Sequence, residues 1–101
     1  MRPIGSVAII GAGNMGSGIA QKSAQEQFDV QMVDREEQLV ERGQSIIARF
    51  LDEAIERRIF REPEAEQIKS RITSVVGTEN VANDTDLVIE AVFEDFDIKT
   101  T

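Results

Sequence analysis

Three glycines and one acid have the types and spacing of a site for phosphates and a ribose. Gly11, Gly13 and Gly16 follow the pattern G-x-G-x-x-G directly after the apolar run 7–10. The first glycine permits a tight turn, the second lets the backbone approach a pyrophosphate, and the third lets the next helix pack closely. Asp34 ends a second apolar run, after the gap of about 20 residues expected before a ribose-binding acid. Because a helix N-terminus also favours anions, the sequence predicts a dinucleotide site.

Other interpretations of these residues stay open. The glycine pattern also fits a strand-turn-helix corner that binds nothing. Asp34 and Glu37 match the D-x-x-E pattern of a helix capping box, although the strand-end position of Asp34 favours ribose binding. The Asp34 charge would repel a 2′-phosphate and so favours NAD over NADP, whereas Arg35 could accommodate that phosphate. Met15 is predicted to pack on the sheet, with only its backbone in the phosphate loop.

Length and composition limit the class of protein. A chain of 101 residues with 41% hydrophobic residues can build one small domain with a core. Its net charge of −8 argues against nucleic acid and an anionic membrane as partners. It does not argue against a dinucleotide, because backbone amides bind a pyrophosphate locally.

Missing residue types and segments exclude further chemistry. The chain has no Cys, so it has no disulfide and no thiolate metal site, and this composition suits a cytoplasmic protein. It has no His, so no imidazole base can come from these residues. No apolar run approaches the ~20 residues of a membrane span, and residues 1–5 lack the apolar core of a signal peptide.

Alternating apolar patterns predict an α/β fold. Short apolar runs predict strands at 5–11, 29–34, 73–76 and 86–92, and helical periodicity predicts helices at 14–27, at 36–58, from 62 to about 72, and beginning within 93–99. Pro63 is expected at the first position of the third helix. Right-handed crossovers then give a Rossmann-type parallel sheet of order 3-2-1-4, with a helical hairpin between strands 2 and 3.

The same periodicity assigns helix faces to the core. In the first helix the predicted sheet-facing residues are Met15, Ile19, Ala20, Ala24 and Phe28. In the second they are Leu39, Ile46, Ile47, Phe50, Leu51, Ala54 and Ile55. The second half of a dinucleotide-binding fold, with its fifth and sixth strands, is missing. We therefore expect residues 1–101 to be the front part of such a domain.

Three segments carry a resemblance to a known family. Residues 11–21, the pair Val33-Asp34, and residues 86–95 resemble the NAD-binding domain of the L-3-hydroxyacyl-CoA dehydrogenases, which include the 3-hydroxybutyryl-CoA dehydrogenases. The resemblance covers nearly the whole chain. It implies NAD as cofactor and hydride transfer at C3 of a 3-hydroxyacyl-CoA substrate.

The resemblance also implies roles for particular residues. The pyrophosphate loop would be Gly11, Ala12, Gly13, Asn14, Met15 and Gly16. Asp34 would accept hydrogen bonds from the adenosine ribose, and Ala91 would lie beside the nicotinamide ribose. Glu94 and Lys99 match positions that contact the cofactor in the family.

Other features of the family cannot be placed in this sequence. Its catalytic histidine and glutamate belong to a later part of the chain, and so do most of the contacts of its homodimer. In the family a serine and a lysine can bind CoA, and these two positions align near Phe50 and Arg57. A phenylalanine cannot replace a hydroxyl donor, whereas Arg57 could bind a phosphate. The alternatives are an NAD dehydrogenase of a free hydroxy acid or sugar acid, and a non-catalytic nucleotide-binding module.

Overall fold

The fold is a four-stranded parallel sheet with helices between its strands. The computed structural model describes residues 5–91. Its elements are β1 (Ser6–Ile10), α1 (Asn14–Gln25), β2 (Asp29–Asp34), α2 (Glu37–Glu56), α3 (Glu62–Ser70), β3 (Ile72–Val76) and β4 (Leu87–Glu90), with a short 3-10 turn at Thr78–Asn80. The strand order β3-β2-β1-β4 confirms the predicted Rossmann-type sheet and the hairpin of α2 and α3. The helix predicted within 93–99 lies outside the described residues.

β1 is the central strand on which the sheet is built. Its residues Val7, Ala8 and Ile9 are at most 3% exposed. β1 pairs with β2 on one side and with β4 on the other, so both of its edges are covered. Consecutive strand residues point to opposite faces, so β1 is buried on both faces, which explains why the run 7–10 is continuously apolar.

α1 packs on the sheet through a face of small residues. Gly16, Ser17, Ala20 and Ala24 are its buried residues, and Ile19 and Phe28 pack against the core from the side. The prediction for Met15 was wrong, because its side chain is 44% exposed. The buried face begins one position later, at Gly16, so the helix turns Met15 away from the sheet.

The buried face of α2 differs from the predicted face at two places, and each difference is a shift of one residue. Val40, not Leu39, is buried near its start, and Leu51 is buried where its neighbour Phe50 is 37% exposed. Phe50 was therefore wrongly assigned to the core; its ring instead lies 5.9 Å from the guanidinium carbon of Arg49. Adjacent helical residues point about 100° apart, which places Leu51 within the buried face and Phe50 at its edge.

The second helix ends slightly earlier than the sequence suggested. α2 ends at Glu56 instead of Arg58, with Arg57 as its C-terminal cap and Arg58 in the left-handed region at φ 62°. Pro63 is the second residue of α3, not the first. The Glu64 carboxylate accepts the Arg61 N–H at 3.0 Å, which stabilises the start of this helix.

β4 is shorter than predicted and carries exposed apolar residues. Leu87 is 42% exposed and Val88 is 54% exposed. The strand is joined to the start of β1 by Asp86, whose carboxylate accepts the backbone N–H groups of Gly5 and Ser6 at 2.8 and 3.0 Å. Among the described helices, none has the length and apolar character that crossing a bilayer requires.

Candidate functional site

The predicted site residues meet at the carboxyl ends of three strands. Gly11 directly follows β1, Asp34 is the last residue of β2, and Ala91 directly follows β4. β1 pairs with β2 on one side and with β4 on the other, so the strand order reverses at β1 and a crevice is expected at the carboxyl end of this strand. Open parallel sheets bind their ligands at such a switch point.

Gly11 and Gly16 form the turn between β1 and α1. Gly11 has φ 111°, a backbone conformation that other residues rarely adopt, and its N–H donates to the carbonyl of Val33 at 2.7 Å. A Cβ built on Gly16 would lie 1.7 Å from the carbonyl oxygen of Gly11. The turn therefore requires glycine at both positions for reasons of the fold alone.

Gly13 differs from the other two glycines because the protein itself does not require it to be small. It is the N-terminal cap of α1, it is exposed, and a Cβ on it would meet nothing within 4 Å. α1 has no side-chain cap and no acid in its first turn. Its first N–H groups thus face an open, glycine-lined space, which fits a pyrophosphate approaching the helix N-terminus.

Asp34 is fixed at the edge of this space. One oxygen of its half-buried carboxylate accepts the Ala12 N–H at 2.9 Å, and the other accepts the Arg35 N–H at 2.8 Å. The capping box with Glu37 does not form, because the N-terminal cap of α2 is Glu36. Each carboxylate oxygen keeps further acceptor capacity, which fits the hydroxyls of a ribose.

Ala91 lies beside the glycine loop. It is 5% exposed, and its N–H donates to the carbonyl of Ile10 at 2.7 Å. Its Cβ is 3.7 Å from the point where a Cβ of Gly16 would be. The other two predicted cofactor contacts, Glu94 and Lys99, lie outside the described residues.

The hairpin residues stand apart from this crevice. Gly43 of α2 packs against Ala12 of the glycine loop. Arg57 follows Gly43 by fourteen positions, which corresponds to roughly 20 Å along a helix axis. Phe50 and Arg57 are both exposed, so the hairpin end of α2 presents them to solvent.

Sequence reasoning missed two residues that support the glycine loop. Ser17 is fully buried, and its hydroxyl donates to the carbonyl of Ala12 at 3.0 Å. Gly43 brings α2 against Ala12 from the other side. A glycine in the middle of a twenty-residue helix is the one signal that could have been read, since such a residue weakens a helix unless packing requires it.

The fold, the glycine loop and the anchored acid define a dinucleotide-binding α/β domain. Comparison with known families agrees: residues 6–101 match the family described as 3-hydroxyacyl-CoA dehydrogenase, NAD binding domain. The chain belongs to this family, and its cofactor is NAD.

Individual relatives give the same result and show how much of them the chain represents. A probable 3-hydroxyacyl-CoA dehydrogenase of Caenorhabditis elegans is 38% identical in an alignment of 101 positions, which covers 95% of this chain and 33% of that protein. The crystal structure of (S)-3-hydroxybutyryl-CoA dehydrogenase from Ralstonia eutropha matches with a TM-score of 0.87 and 36% identity, over 96% of this chain and 34% of that one. A diketoreductase matches with a TM-score of 0.83 and 28% identity, over 98% and 35%. The chain thus spans about a third of the length of these relatives.

Proposed function

We propose that this chain supplies the NAD-binding part of an oxidoreductase that interconverts L-3-hydroxyacyl-CoA and 3-oxoacyl-CoA. The observation that carries the proposal is the glycine loop with Asp34 anchored to it, in a chain that belongs to this family. Residues 1–101 would be the front part of the Rossmann domain of that enzyme. We also propose that the active protein is a homodimer, as the family resemblance implies.

In this proposal the described residues bind and orient the cofactor and do not transfer protons. Gly13 and the first turn of α1 would hold the pyrophosphate, Asp34 the adenosine ribose, and Ala91 the edge of the nicotinamide ribose. Asn14, Met15, Glu94 and Lys99 are proposed as further contacts. NAD, when bound, supplies the hydride acceptor. Because the 101 residues contain no His, we expect them to be inactive alone.

The direct test is an assay of the gene product with NADH and acetoacetyl-CoA. We expect NADH to be consumed with the thioester and not with free acetoacetate, because the CoA portion would supply remote binding energy. NADH absorbance would report turnover, and crotonyl-CoA, which has no 3-oxo group, would serve as the matched control. Binding of NADH without turnover on any thioester would instead favour a non-catalytic nucleotide-binding module.

A second candidate is an NAD dehydrogenase of a free hydroxy acid or sugar acid, which in the reverse direction reduces the free carbonyl compound. The observation in its favour is the likeness to the diketoreductase, whose structure is described for dicarbonyl compounds, together with Phe50 at a position where the family offers a hydroxyl. This candidate predicts that acetoacetate and other free oxo acids react at least as well as the thioester in the same panel.

Arg57 is the proposed CoA contact on the hairpin. It is exposed at the C-terminal end of α2, and the structure records no carboxylate bound to it among the described residues. We expect Arg57→Ala to raise the KM for acetoacetyl-CoA by about fivefold, because one charge-assisted hydrogen bond to a phosphate contributes about 1 kcal/mol at an exposed site. The KM for NADH should not change.

Arg42→Ala is the matched control for Arg57. Arg42 is exposed on α2 like Arg57, but it lies toward the other end of the helix. Steady-state kinetics would give the KM for acetoacetyl-CoA of both variants. An equal rise of this KM in Arg57→Ala and in Arg42→Ala would show only the loss of general positive charge. An unchanged KM in Arg57→Ala would remove the hairpin from the CoA site.

A further inference from the structure

The backbone of Ala12 is held on several sides at the centre of the glycine loop. Ala12 is 1% exposed. Its N–H donates to Asp34 at 2.9 Å, and its carbonyl accepts a hydrogen bond from the hydroxyl of Ser17 at 3.0 Å. Ala12 directly precedes Gly13, so the position of its carbonyl group fixes where the chain enters the N-terminus of α1.

Gly43 of α2 also packs against Ala12. A Cβ on Gly43 would lie 2.8 Å from the Ala12 oxygen, 2.9 Å from the Ala12 Cβ and 3.0 Å from the terminal methyl group of Met32. The methyl group of Met32 can move, but the two Ala12 atoms belong to the loop or are bonded directly to its backbone. Any side chain at position 43 would therefore push on the loop.

The comparison with Gly18 shows that this contact is particular to Gly43. Both glycines lie inside helices, where glycine is less favourable than alanine. A Cβ on Gly18 would meet nothing within 4 Å, so α1 has room for a methyl group there. At Gly43 the lack of a side chain lets α2 touch the glycine loop directly.

Resting on the proposed NAD site, we propose that Gly43 and Ser17 are positioning residues for the cofactor. Gly43 determines how far the loop can sit toward α2, and Ser17 holds the carbonyl group of Ala12 from α1. Because Asp34 accepts the N–H of the same residue, moving Ala12 also disturbs the acid that would hold the ribose. The phosphate loop and the ribose acid thus depend on one contact, although neither Gly43 nor Ser17 is proposed to touch the cofactor.

Gly43→Ala tests this role in the gene product, with Gly18→Ala as the matched control. We expect Gly43→Ala to weaken NADH binding and raise the KM for NADH by about tenfold, since shifts well below 1 Å at a binding loop already reduce affinity and rate. We expect kcat to stay within about twofold and the KM for acetoacetyl-CoA to stay unchanged. Gly18→Ala should bind NADH like the wild type.

Thermal unfolding without ligand separates positioning from simple destabilisation. A lower Tm with unchanged NADH affinity would overturn the proposal for Gly43 and leave it a packing residue. If Gly43→Ala does not fold, Ser17→Ala decides: it removes the hydrogen bond to Ala12 without adding volume, and we expect about threefold weaker NADH binding. Wild-type affinity in a folded Ser17→Ala would then overturn the inference. Failure of the wild type to bind NADH would instead contradict the proposed function.

Discussion

Gly16→Ala should abolish NADH binding and lower the free energy of unfolding by about 3 kcal/mol. The Cβ of alanine would lie 1.7 Å from the Gly11 oxygen and 2.7 Å from the Gly11 carbonyl carbon. Both are backbone atoms of Gly11, which directly follows β1 and donates its N–H to Val33 of β2, so they cannot move aside cheaply. α1 would have to move away from the strand, and its N-terminal N–H groups would leave the site.

Urea unfolding followed by circular dichroism and NADH titration would measure both effects. Gly18→Ala is again the control, because it adds the same methyl group two positions along the same helix where space is open. It should stabilise the protein by about 0.5–1 kcal/mol, the usual gain of alanine over glycine in a helix. If Gly16→Ala kept wild-type stability and NADH affinity, the close contact between α1 and β1 would not be needed by the site.

Asp34→Ala is the second change with a large expected effect, a loss of NADH affinity of about 100-fold. Two effects add in this variant. The Ala12 and Arg35 N–H groups lose their acceptor, and the ribose hydroxyls lose theirs, at about 1.5–3 kcal/mol for a hydrogen bond to a charged group. NADPH should be affected less than NADH, because removing the carboxylate also removes its repulsion of the 2′-phosphate.

The difference between the loss of NADH affinity and the loss of NADPH affinity makes this prediction specific. Asp29→Asn is the matched control, since Asp29 is the exposed first residue of the same strand β2, at the end away from the site. It should leave both affinities unchanged. Equal losses for NADH and NADPH in Asp34→Ala would mean that Asp34 supports the loop without facing the ribose.

Much of the fold could be predicted because the strands of a parallel sheet have a simple sequence pattern. β2 covers 29–34 as predicted, and the order 3-2-1-4 follows from right-handed crossovers. β1 is buried on both faces and continuously apolar, so its position could be predicted without knowledge of its partner strands. The glycine spacing likewise predicts the turn that Gly11 and Gly16 form.

Helix orientation and loop support could not be predicted in the same way. Met15 and Phe50 each lie one position away from a truly buried neighbour, and the apolar pattern does not resolve a rotation of that size. The support of Ala12 by Ser17 and Gly43 depends on where two helices sit relative to one turn, which is a property of tertiary packing. A buried serine and a helical glycine are visible in the sequence, but their shared target is not.

The pairing of the first strand with the last described strand also affects the protein during its synthesis. Asp86 holds the backbone of Ser6, 80 residues earlier, and β1 gains its second neighbour only through β4. At 5–20 residues per second, a ribosome takes on the order of ten seconds to add those residues. After β2 has been made and before β4 follows, the nascent chain can pair β1 with β2 alone, so one edge of the most apolar strand stays unpaired. Binding of a chaperone to this edge during translation would protect it until β4 emerges.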